Sequence, residues 1–236
     1  MLEVNPAFRA RSLPHEPPGR WKPRFRACPD ADNVRAMSTS TWFDRPPLAG
    51  DHARLEPLGP EHAEGLYEAG KDPEVWRWLN VPQPADVAQT RRMIEADLRA
   101  MDAGRLLPWA QIDAVTGEVA GTTSYYEVEP AHRGLCIGHT WIGVRWQRTA
   151  LNTEAKLLLL ERAFEVLGAI RVGWHTHHRN ERSQRAIERL GARREGVLRS
   201  HRIRPDGSVR DTVCYSMLAA EWPAARDRLR ARLASA

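Results

Sequence analysis

At 236 residues, with 42% hydrophobic and 28% charged side chains, the chain can bury one self-sufficient core but is short for two enzymes. Its three cysteines, Cys28, Cys136 and Cys214, lack the even count of a disulfide framework and the paired spacing of a metal site. No apolar run approaches the roughly 20 residues needed to span a bilayer, so the expectation is a cytoplasmic protein with no membrane segment and no export signal. The net charge of +5 sits at the ends: residues 1–36 hold seven Lys or Arg against four acids, and residues 226–236 hold four Arg against Asp227. Residues 37–225 are therefore nearly neutral, which argues against a nucleic-acid groove.

Residues 1–36 combine six prolines with scattered arginines and no apolar period, a composition expected to stay disordered. Met37 is an equally good candidate for the biological start. Residues 37–50 form a lead segment, and a folded domain is expected over residues 51–221. Ala53 to Leu58 alternates like a strand and Gly59-Pro60 closes it before a helix from Glu61 to Ala69. Asp72-Pro73-Glu74 has the signals of another helix start, leading into Val75 to Leu79. A longer helix runs from about Asp86 to Gly104. Three antiparallel strands follow, Trp109 to Ala114, Glu118 to Val128 and Gly134 to Val144.

Helix resumes over Thr153 to Leu167, with Gly168 as its stop, and Ile170 to Thr176 is a strand. Glu181 to Leu190 reads as a short helix capped by Asn180 and ended by Gly191. Arg194 to Ile203 and Arg210 to Leu218 flank the hairpin turn at Pro205 to Ser208. Residues 222–236 read as a basic tail. The alternation predicts an α/β (α+β) fold with a mixed central sheet and helices on both faces.

The junction between the strand ending at Val144 and the next helix carries the most chemistry. A strand feeding a tight loop and then a helix offers unpaired N–H groups and a positive dipole end to an anion, and pyrophosphate suits that geometry. Gln147, Arg148 and Thr149 add side-chain donors, and Ala150 lets the backbone approach closely. The run from Gln147 through Leu151, Asn152 and Thr153 to Ala155 resembles the Gln/Arg-x-x-Gly-x-Gly/Ala signature of the GNAT superfamily of N-acetyltransferases. The Thr-Glu-Ala that closes the run is similar to the branch containing the ribosomal-protein-alanine N-acetyltransferases. Ala150 stands where glycine is usual, and Asn152 where Gly or Ala is usual. Asn180, Ser183, Ile187 and Leu190-Gly191 match a second family segment.

The resemblance implies a mostly antiparallel GNAT-like sheet whose strands ending at Val144 and Thr176 splay to admit acetyl-CoA as acetyl donor. Backbone groups of Ile142 to Val144 would pair with the pantetheine, an N–H there would stabilise the tetrahedral oxyanion, and Asn180 would hold the pantetheine arm. It implies direct attack by a primary amine, either a small molecule or a protein N-terminus, and a homodimer as one assembly. A non-catalytic CoA-binding regulatory module is the alternative. Ile187 occupies the position where many members carry an acid tyrosine, so other groups must move the protons. His139 is the first candidate for the base, because its pKa lies near neutrality. Tyr125, Tyr215, Glu127 and Ser216 are further candidates. His175, His177 and His178 lack a recognisable further ligand, so no metal is expected. Trp76 and Trp78 are placed at an acceptor wall, and Trp109, Trp141, Trp146 and Trp174 in the core.

Overall fold

From Leu48 onward the apolar period switches between two and three to four residues, and the backbone follows it. The computed structural model describes residues Thr39–Ser235; residues 1–36 and a start at Met37 lie outside the described residues. The strands are β1 (Leu48–Ala49), β2 (Ala53–Pro57), β3 (Leu106–Asp113), β4 (Val119–Glu129), β5 (Gly134–Ile142), β6 (Arg171–His177), β7 (Arg193–Ile203) and β8 (Val209–Leu218). The helices are α1 (Ala63–Ala69), α2 (Val87–Asp102), α3 (Ala150–Glu161), α4 (Glu181–Leu190) and α5 (Trp222–Ala234). All eight strands form one sheet in the order β1-β2-β3-β4-β5-β6-β8-β7. Every pairing is antiparallel except β5 with β6. The expected mixed, mostly antiparallel sheet is the observed one.

Neighbouring residues on a strand face opposite sides of the sheet, and two cores result. Trp109 joins Tyr125, Leu135, Ile137, Val172, Trp174 and Tyr215 under α3 and α5, whereas Ala110 joins Leu58, Leu66 and Ile94 under α1 and α2. α3 is buried nearly all round, because the sheet lies on one side and α5 on another. Leu159 and Leu160 are fully buried there, each worth roughly 2 kcal/mol of hydrophobic stabilisation. Glu154, also on α3, holds the β1–β2 turn by accepting from the backbone N–H groups of Asp51 (3.1 Å), His52 (2.5 Å) and Ala53 (2.6 Å).

Three sequence expectations need correction. Residues 222–236 are no tail: Trp222, Ala225 and Leu229 of α5 are buried, and the arginines that suggested solvation pair with acids at the end of α3. Arg226 reaches Glu165 at 3.1 Å and Arg230 reaches Glu161 at 2.8 Å. The helix expected from Pro73 to Leu79 is a single 3-10 turn, Pro73–Val75. Trp76 turns inward to donate to the Gly70 carbonyl at 2.7 Å, and the Arg77 carbonyl is taken at 2.7 Å by Arg204 rather than by a helical N–H. Finally, α3 begins at Ala150, not Thr153, because Thr149 is its N-cap, and it widens into a π turn at Arg162–Val166. At this widening the Leu159 carbonyl accepts the Tyr125 hydroxyl as well as the Arg162 N–H.

Candidate active site

β5 and β6 touch over three pairs only, Gly134 with Arg171, Leu135 with Val172 and Cys136 with Gly173. Beyond Cys136 and Gly173 the two strands part, while β5 stays paired to β4 and β6 to β8. One edge of Ile137 to Ile142 therefore faces a gap with no strand paired to it, the kind of edge that an extended ligand can join as a strand. Gly143 N–H donates to the Ala120 carbonyl at 2.8 Å, so alternation turns the Ile142 backbone groups toward the gap. The Ile142 carbonyl meets Gln147 Nε2 there at 3.2 Å.

The mouth of the gap leads into α3. A 3-10 turn at Val144–Trp146 delivers the chain to Gln147, whose Oε1 accepts from Arg182 of α4 at 2.5 Å. Arg148 takes a left-handed φ of 67° with its side chain exposed, and Thr149 Oγ1 faces the Leu151 N–H at 3.4 Å. Of the expected loop, Ala150, Leu151 and Asn152 thus already form the first helical turn with Thr153, presenting their N–H groups at the positive end of the helix dipole. On the far lip of the gap, Asn180 caps α4 by accepting from Ser183 N–H at 3.1 Å, leaving its amide Nδ2 free within the described residues. Ile187 is buried on the inner side of α4.

Side chains on the sheet face opposite α3 line the gap. His139 sits on a bulge of β5 with φ 48° and is exposed to the gap. The surrounding protein lowers its pKa, and nearby Glu127 only partly offsets this. The Tyr126 ring lies 5.3 Å from His139 and 6.0 Å from His175, centroid to centroid. Gly138 makes room for that ring, since a Cβ there would fall 2.6 Å from it. Burial raises the Tyr126 pKa, so its hydroxyl stays protonated.

Two of the expected catalytic side chains point the other way. Tyr125 is fully buried against α3 and its hydroxyl donates to the Leu159 carbonyl. Tyr215 is buried on the same side and donates to Glu188 of α4 at 3.0 Å. Ser216 faces the open side but is engaged with Glu195 at 2.8 Å. Glu127, Cys136 and His175 bring ligand atoms within 4.8 Å of one another, a set that the spacing of His175, His177 and His178 had not indicated. Cys136 donates to Glu127 at 3.3 Å, and burial followed by that carboxylate pushes the thiol up to about 12. The sequence reading missed Tyr126 and His201; the only signal for Tyr126 was its alternation with Tyr125.

Trp78 and Trp76 divide the role expected of both. Trp78 is half-buried and packs on His177 at 4.8 Å, on the open side, whereas Trp76 is buried against Trp141 at 5.0 Å. A cavity of about 490 Å³ lies elsewhere, between α1 and the turn at Val144–Trp146, and neither β6 nor residues 147–153 line it.

Comparison with known proteins agrees with this geometry. The family model described as acetyltransferase (GNAT) domain matches residues 52–193. An uncharacterised N-acetyltransferase, YoaA of Bacillus subtilis strain 168, is 27% identical over 173 residues, spanning 73% of this chain and 97% of that protein. A candidate acetyltransferase structure from T. thermophilus is 43% identical, with a TM-score of 0.73 over 80% of this chain and 98% of that one. RimJ of Mycobacterium smegmatis, solved in complex with CoA-disulfide, shares the fold at 22% identity, with a TM-score of 0.68 over 81% of this chain and 96% of that one. A splayed β5–β6 pair opening onto a capped helix, together with a family model over most of the domain, leads to one conclusion: the chain belongs to the GNAT acetyltransferases and is an N-acetyltransferase enzyme.

Proposed function

We propose that the enzyme moves an acetyl group from acetyl-CoA to a primary amine, a small molecule or a protein N-terminus, by direct attack in a ternary complex. The observation that carries this reading is the parting of β5 and β6 beyond Cys136 and Gly173, in line with the N-terminus of α3. The residues fit the donor: the open edge of β5 matches the amides of pantetheine, Asn180 Nδ2 is a free donor beside it, and the first turn of α3 with Arg148 matches a pyrophosphate. Acetyl-CoA supplies an activated thioester carbonyl. Ile142 N–H, turned toward the gap, is the donor we assign to the oxyanion.

His139 is the group we assign to the acceptor's proton, taken directly or through water. Its lowered pKa keeps the imidazole neutral at pH 7, as a base must be, so acid loss of kcat/KM should set in only below the usual histidine range. Tyr126, rather than Tyr125, is the protonated hydroxyl on this side and the donor we assign to the departing thiolate. The free thiols of Cys136 and Cys214 suit a reducing cytoplasm. Among the described residues no helix is long and apolar enough to cross a membrane.

Thiol release from acetyl-CoA over a panel of amines tests the reading. His139→Ala should lower kcat about a hundredfold at neutral pH, and unchanged kinetics would remove His139 from the mechanism. Acetyl-CoA binding with no release on any amine would favour the non-catalytic module instead.

A further inference from the structure

Charge on the open face is unevenly matched. Arg210 of β8 is only 9% exposed, yet no carboxylate among the described residues pairs with it. Its Nη1 lies 3.3 Å from the neutral Asn80 Oδ1, and its Nε is buried with no acceptor. A guanidinium largely removed from water without a counter-ion is costly, and an anionic ligand is a group that would offset that cost. Arg204 shares only the orphaned Nε: one Nη holds the Arg77 carbonyl at 2.7 Å and the other pairs with Asp206 at 3.3 Å, while Nε is buried without a partner among the described residues. Four of the seven buried side-chain atoms without a partner among the described residues belong to the β7–β8 hairpin: His201 Nδ1, Arg204 Nε, Arg210 Nε and Thr212 Oγ1.

The acids nearby are already engaged. Asp211 accepts from the Ser200 N–H at 2.7 Å, Asp206 accepts from Ser208 at 2.6 Å, and Glu195 pairs with Arg171 at 2.5 Å. Glu127 accepts from Cys136 toward the β5 side. The deficit adjoins the proposed reaction centre. A row of rings leads from His139 to Tyr126, then to His175 and to His201, with the last two centroids 6.4 Å apart. Asn80 and Trp78, from the segment between α1 and α2, close over the same area.

We infer that the acceptor is an amine bearing a carboxylate, and that Arg210, flanked by Arg202 and Arg204, receives that carboxylate while the amine faces His139. The inference rests on the acetyl-transfer reading and deepens it. A carboxylate would supply the acceptors that the buried donors lack, in the charge-assisted geometry a guanidinium favours. The same positive field does two further things. It lowers the pKa of an incoming ammonium, easing the proton loss that must precede attack, and it repels polycations such as polyamines and aminoglycosides. His175, His177 and His201 do not add to the positive charge at neutral pH, because burial and the neighbouring arginines hold their pKa values low, that of His177 at about 4.

The carboxylate could belong to a free amino acid or to an acidic residue next to a peptide N-terminus, so the test has both arms. With the full chain, kcat/KM for thiol release is compared between alanine and alaninamide, and between Ala-Asp-amide and Ala-Asn-amide, with spermidine as the cationic control. In one arm the carboxylate form should be favoured about thirtyfold, mostly through KM, and Arg210→Gln should bring the ratio near one. Equal rates for both members of each pair, or a ratio that survives Arg210→Gln, overturns the inference. Should Arg210→Gln fail to fold, the exposed Arg202→Gln must still lower the ratio, and a ratio unmoved by it counts against the site. Calorimetry of N-acetylalanine against N-acetylalaninamide keeps the test independent of turnover: binding that needs the carboxylate supports the site, and its absence refutes it. Acetyl-CoA titrated in the same cell reports separately on the acetyl-transfer reading.

Discussion

Tyr125 and Tyr126 are adjacent in β4 yet stand in opposite surroundings. On the face under α3, Tyr125 is sealed against the Leu159 carbonyl, Tyr215 against Glu188, and Glu154 holds three backbone N–H groups. On the opposite face, Tyr126, His139, His175 and His201 stand beside Arg210, which has no carboxylate partner among the described residues. The polar groups of Tyr125, Tyr215 and Glu154 are spent within the protein, whereas the unpaired donors of Arg210 at the cleft are available to a ligand. Substitutions should sort accordingly, into stability losses on the closed face and kinetic losses on the open one.

The largest effect is expected at Glu154. Glu154→Ala strands three N–H groups at the β1–β2 turn and should cost about 4 kcal/mol in chemical denaturation; a loss below about 1 kcal/mol would mean that water replaces the carboxylate. Lys156 comes next. It is buried on α3 with its ammonium 2.7 Å from both Thr123 and Thr140 and no acid partner, and burial lowers its pKa from 10.5 to about 7. Between pH 7 and 10.5 the unfolded chain binds more protons at this residue than the folded one, so its contribution makes stability rise with pH across that window. Lys156→Met should flatten the rise and gain about 2 kcal/mol near pH 7; an unchanged pH profile would assign the slope to other groups. The smallest and sharpest contrast pits Tyr125→Phe against Tyr126→Phe. The first should cost about 1 kcal/mol of stability and leave kcat alone, and the second should lower kcat at least about tenfold with little change in melting. An exchange of the two outcomes would reverse the assignment of faces.

Much of the frame was legible. α4 shows Asn180 at one end and Gly191, φ 102°, at the other, and both signals stand in the sequence. The loop expected to hold the pyrophosphate was legible as a strand feeding a short polar loop and a leucine-rich helix, but its Thr149 cap was not, since the helix was expected only from Thr153. The choice between Tyr125 and Tyr126 was not legible, since a one-residue slip in a strand flips every side chain and both faces here hold bulky residues. Nor was the bulge that turns His139 outward, because a positive φ at histidine leaves no mark in an apolar pattern. α5 was missed because its apolar positions are few and its arginines find their acids on α3, far away in the chain.

Calorimetric titration of the full chain with acetyl-CoA, repeated on Asn152→Asp, asks most directly whether the first turn of α3 holds the pyrophosphate. A carboxylate set among those N–H groups should weaken binding about a hundredfold without unfolding the domain. Undiminished affinity in the variant would place the phosphates elsewhere, and no binding to the native chain would contradict the assignment outright.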